Sequence, residues 1–99
     1  MKIIQTISEQ ILEEISDAEK YAWCALKHKE DDQELYRAYV RLANEELAHS
    51  ELLRAQAVRL VNEIKQKNGE PPASMMAVYE YLHNKAIEKS AEVRLMLSH

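Results

Sequence analysis

Apolar residues recur along the chain at alternating steps of three and four. In the first third the stripe runs Ile4, Ile7, Ile11, Glu14, Ala18, Tyr21, Ala25. Further on it runs Leu35, Tyr39, Leu42, Glu46, His49, Leu53, Gln56, Leu60, and closes on Ile64 or Glu63. Residues at these steps share one face of a 3.6-residue helix, so each stripe predicts an amphipathic helix packed along a shallow-angle seam. Two breaks separate the periodic segments. The polar stretch Lys29-Glu30-Asp31-Asp32-Gln33 offers Asp31 or Asp32 as a helix cap, with Glu34 placed for a capping box. In Asn68-Gly69-Glu70-Pro71-Pro72 the glycine suits the left-handed position after a helix end, and the prolines prevent continuation. Three helices follow, over 3–29, 33–67 and 73–97. At ~1.5 Å per residue the first is about 40 Å long and the second about 50 Å. The third carries its best apolar stripe at Met75, Val78 or Tyr79, Leu82, Ala86, Val93 and Met96.

Composition agrees with this and narrows it. Ninety-nine residues make one domain, 1–99, and 46% hydrophobic with 30% charged residues is a globular balance. One glycine, two prolines and no phenylalanine argue against a turn-rich sheet protein, so the fold class is all-α. The first two helices form an antiparallel hairpin longer than the third can cover. A second chain is the natural cover, which predicts a homodimer or higher homo-oligomer. A net charge of −4 gives no field for nucleic acid. No apolar run reaches the ~20 residues that span a bilayer, so no membrane is expected. A single cysteine and an N-terminus without a long apolar core suit a reducing, cytoplasmic setting.

Chemistry enters where the stripes are interrupted. Glu14, Glu46 and His49 fall on seam positions near the middle of their helices. An unpaired carboxylate buried there costs several kcal/mol, so each needs a partner, and a bound cation is one. Glu46-Leu47-Ala48-His49 is a Glu-x-x-His pair, whose two side chains rise one above the other on one helix face. Glu14 precedes the turn near residue 31 by about as many residues as Glu46 follows it, so the two meet at one height of the hairpin. Carboxylates with an imidazole suit Fe or Mn, and Zn to a lesser degree. Two arrangements without a metal fit the same spacing: Glu46 and His49 satisfying each other in a dry core, or a seam offset that leaves them solvated.

The set of Glu14, Tyr21 seven residues on and Glu46-x-x-His49 about 30 residues later resembles the ferritin-like di-iron carboxylate superfamily, closest to the short encapsulated ferritin-like proteins. The resemblance covers residues 1–67. It implies a ferritin-like antiparallel hairpin plus a third helix, with a four-helix bundle completed by dimerisation. It further implies a di-iron site shared between two chains, with Glu14, Glu46 and His49 as ligands and Tyr21 beside the site as a catalytic residue. The implied activity is ferroxidase-type oxidation of Fe(II) to Fe(III) for iron storage or detoxification, and the implied partner is an encapsulin-type shell. The chain differs from those proteins in having Lys20 where they have a tryptophan, with Trp23 three residues on.

A second Glu-x-x-His, Glu80 to His83, has the spacing for the other half of an intrachain di-iron site, but it lies off the stripe of the third helix with Met76 and Ile87, a position that more often makes a partly solvated face or an oligomer contact. Cys24 reads as an inert buried thiol, and Trp23 as part of an oligomer contact. Tyr36 and Tyr39 are expected to pack across helices, and His28 to interact with the C-terminus of its helix. Arg37, Arg41, Arg54 and Arg59 alternate with acids, the pattern of a salt-bridged face. Neither a Gly-rich phosphate loop nor a nucleophile–His–acid set is present. The rival to an iron protein is a non-enzymatic helical oligomerisation or interaction module whose polar seam residues fix helix register.

Overall fold

A computed structural model of the chain describes residues 2–98. They form three α-helices, α1 (Lys2–His28), α2 (Gln33–Asn68) and α3 (Ala73–Leu97), and among the described residues there is no strand. The ends fall where the punctuation predicts. The Asp32 side chain accepts from the Leu35 N–H at 3.0 Å and caps α2. With Asp32 as the cap, the third helical position belongs to Leu35, so Glu34 complements the helix dipole and closes no capping box. Gly69, at φ 75°, ends α2 and donates its N–H to the Lys65 carbonyl at 3.0 Å. The Asp32 N–H reaches the His28 carbonyl at 3.0 Å, closing α1, while the His28 ring pairs with Asp31 at 3.1 Å.

The molecule is a rod of 55 × 18 × 17 Å. At ~1.5 Å per residue α2 alone spans about 54 Å, the full length. The radius of gyration is 16.1 Å, against about 13 Å for a compact chain of this size. Helices α1 and α2 pack along their length as an antiparallel hairpin. Helix α3 returns alongside α1 and barely touches α2. Lys89 reaches Glu19 at 3.9 Å near the far end of that contact. No helix among the described residues is long and apolar enough to cross a membrane.

The buried seam differs from the predicted one by a single residue. On α1 it keeps Ile4, Ile11, Ala18 and Ala25 but takes Ser8, Ile15 and Ala22 in place of Ile7, Glu14 and Tyr21. On α2 the offset runs through the middle and end of the helix: Ala43, Leu47, Ser50, Ala57 and Val61 are buried, each one position beyond Leu42, Glu46, His49, Gln56 and Leu60, while Leu53 of the predicted stripe still packs against the core. The physical reason is twofold. Alanine and serine at much of the line let the two backbones approach closely, and at Ile15 and Leu47 apolar side chains take the line in place of the carboxylates Glu14 and Glu46. Helix α3 also seats itself on the Leu12–Ile15–Glu19 side of α1, drawing the buried arc that way. On α3, Ala86, Ser90 and Val93 are buried, with Tyr79 and Met96 packed beside them. Of the alternatives at the start of that stripe, Tyr79 packs inward and Val78 stays 55% exposed.

A carboxylate and imidazole cluster on the open face of the hairpin

The offset rotates Glu14, Glu46 and His49 from the centre of the seam to its edge, on the side of the hairpin away from α3. There they still meet. His49 Nδ1 lies 3.6 Å from Glu14 Oε2 and 3.8 Å from Glu46 Oε1. One ligand atom from each residue lies within 4.8 Å of the other two. The Glu46 side chain is 20% exposed, Glu14 31% and His49 58%, so the carboxylates are sheltered and the imidazole faces solvent. The matched-height expectation for Glu14 and Glu46 is therefore met in space, although neither residue is buried in a dry core.

The donor set suits a small divalent cation. At a bond length of ~2.1 Å, ligand atoms lie about 3.0 Å apart in an octahedron and about 3.4 Å apart in a tetrahedron. Separations of 3.6 and 3.8 Å come within about 1 Å of both, a gap that side-chain rotation closes. The electrostatics agree. A hydrogen bond with Glu14, partial burial and the Glu14 charge push the Glu46 carboxyl up from 4.5 to about 7, with His49 acting against them and Asp17 adding to them. Two carboxylates this close also present the paired oxygens that a cation in place of the proton would need.

Tyr21 is two helical turns beyond Glu14, about 10 Å along the axis, and lies outside the cluster. Its ring stacks on Tyr39 with centroids 6.2 Å apart, and Tyr39 stacks on His28 at 6.2 Å. A column of three rings thus leads from above the carboxylates to the turn. Sequence reasoning placed Tyr21 and Tyr39 separately and missed the column. Its signal was present: Tyr39 stands seven residues before Glu46 as Tyr21 stands seven after Glu14, so one antiparallel register pairs both the rings and the carboxylates.

The second Glu-x-x-His is not assembled into a cluster. Glu80 is exposed, while His83 is half-buried and stacks on Tyr79 at 5.7 Å. Among the described residues, Glu14, Glu46 and His49 are the group that brings three such ligand atoms together. Cys24 is only partly buried, because the seam runs through Ala22 and Ala25 and leaves the position between them at its flank. Arg41, Arg54 and Arg59 each bond an acid one turn away, as the charge pattern predicts. His28 pairs with the Asp31 side chain beyond the helix end.

Fold and cluster together define an all-helical protein carrying a sheltered carboxylate–imidazole group on the uncovered face of a helical hairpin. Comparison with protein-family models, with curated proteins and with solved structures finds no match to this chain.

Proposed function

We propose that the chain is an iron-binding, ferritin-like protein in which two copies, face to face, build a di-iron centre that oxidises Fe(II) to Fe(III). The observation that carries this reading is the convergence of Glu14 Oε2, Glu46 Oε1 and His49 Nδ1 on a face that α3 leaves open. Three donors from one chain under-fill the coordination sphere of iron, and a second copy supplies a second set. Each Fe(II) substrate gives up one electron, and dioxygen or peroxide is the acceptor. Glu14 and Glu46 supply hard, anionic oxygens that favour the more highly charged Fe(III), and His49 supplies one nitrogen per chain. Tyr21, on the same face, is the nearest ring of the aromatic column and is proposed to support the site from outside it. Mn(II) and Zn(II) fit the same donors. An encapsulin-type shell belongs to the same proposal as the partner that the resemblance implies.

A second reading has its own support. Leu42 and Leu52 are exposed large apolar residues, as expected of an interaction module whose polar groups only fix register. Anaerobic loading with Fe(II), desalting and elemental analysis separate the two. About one iron per chain, lost in Glu46→Ala, supports the shared centre. An oxygen-dependent absorbance change then distinguishes oxidation from a structural metal. No bound iron in the wild type sinks the metal reading and leaves the module.

A further inference from the structure

At the end of the rod where α1 begins, far from the Glu14 cluster, the three helices leave a cavity of about 270 Å³. Ile4, Val61, Met75, Met76 and Leu82 form its walls, and Gln5 and Ser74 also line it. Ser8, Tyr79 and Leu82 belong equally to an adjoining crevice of about 10 Å³, on which Arg54 and His83 border. The apolar chamber thus lies beside a space the size of one water molecule, next to a cation. Two cations and an acid meet at its edge. Arg54 bonds Glu51 at 2.6 Å and Arg94 reaches the same carboxylate at 3.6 Å, two guanidinium groups on one acid. Burial raises the Tyr79 hydroxyl above its ordinary value, with the Arg54 charge acting against that and the Glu80 charge adding to it.

We propose that this cavity binds a small amphipathic monocarboxylate, with its hydrocarbon chain in the chamber and its carboxylate on Arg54 at the crevice. A cavity of about 150 Å³ holds benzene, so this one takes a chain of roughly ten non-hydrogen atoms. The carboxylate oxygen takes the water-sized crevice and adds a second anionic partner to Arg54, a charge-assisted contact in a partly sheltered place. Methionines at the wall, unbranched and polarizable, accommodate chains of differing shape. The site shares no residue with the metal cluster and stands or falls independently of it.

The test is titration of decanoate into the full chain, read by calorimetry and by NMR of the methionine methyl groups. One decanoate per chain is expected, with shifts at Met75 and Met76. Each methylene removed from the acid weakens binding about fourfold. Decanol binds at least tenfold more weakly than decanoate. Arg54→Gln lowers decanoate affinity at least tenfold and leaves decanol unchanged, whereas Arg54→Lys retains most of it. Equal binding of decanol and decanoate overturns the proposal, as does multiple binding at surface sites. So do Met75 and Met76 shifts that depend on protein concentration without ligand, since a second copy then fills the cavity.

Discussion

Glu46 is the residue on which the electrostatics turn. Its folded-state pKa of about 7 lies above the ordinary 4.5, so the native state holds this proton more tightly than the unfolded chain does. Stability from this group is present below about pH 4.5 and is lost as pH rises through 7. Glu46→Gln, neutral at every pH, is therefore expected to match the metal-free wild type in acid. At pH 8 it should be more stable by about 1–3 kcal/mol, at ~1.4 kcal/mol per pKa unit. Thermal melts across that range check this, and a Glu46→Gln protein that melts below wild type at pH 8 refutes the shared-proton picture. Metal reverses the ranking. Zn(II) or Mn(II) should raise the melting temperature of wild type and not of the variant, and the rise should shrink below pH 7 as protons compete for Glu46.

Among the helices, the informative quantity is which residue lies on the contact line. Ala22 is fully buried between α1 and its neighbours, and Tyr21 beside it is only partly covered. Ala22→Leu should therefore destabilise by about 1–3 kcal/mol through overpacking. Were the predicted stripe the true seam, the same change would be nearly neutral, and urea unfolding distinguishes the two. The α2 cap is a separate local device. Asp32→Ala should cost about 1 kcal/mol, because the Leu35 N–H loses its acceptor. Helix bounds were legible from Asp32, Gly69 and the two prolines because caps and breakers act within a few residues of themselves. The seam was not, because neighbouring residues point about 100° apart on a helix. The spacing of the stripe suggested one line, and close contact between alanines together with burial of Ile15 and Leu47 chose the next.

For the whole molecule, the open face matters most. Leu42 lies one turn from Glu46 on α2, is 38% exposed, and is not covered by α3. If two copies meet on this face, sedimentation should give about twice the 11.5 kDa chain mass. Leu42→Glu should then yield monomers that bind Fe(II) more weakly, although every ligand remains. A wild-type monomer at micromolar concentration that still holds one iron per chain overturns the shared site.

Order along the chain, helix ends, the all-helical class and the equal height of Glu14 and Glu46 are all consequences of local propensity and spacing, and the amino-acid sequence carries them unaided. The antiparallel register that pairs those carboxylates also pairs Tyr21 with Tyr39. The sequence did not carry the rotation of each helix about its own axis or the side of α1 on which α3 comes to rest. Those follow from packing between segments far apart in the chain, where close approach at small side chains and burial of Ile15 and Leu47 decide the line together. That rotation moves Glu14, Glu46 and His49 from a dry seam to a sheltered edge. There, two carboxylates and an imidazole can meet a cation from solvent.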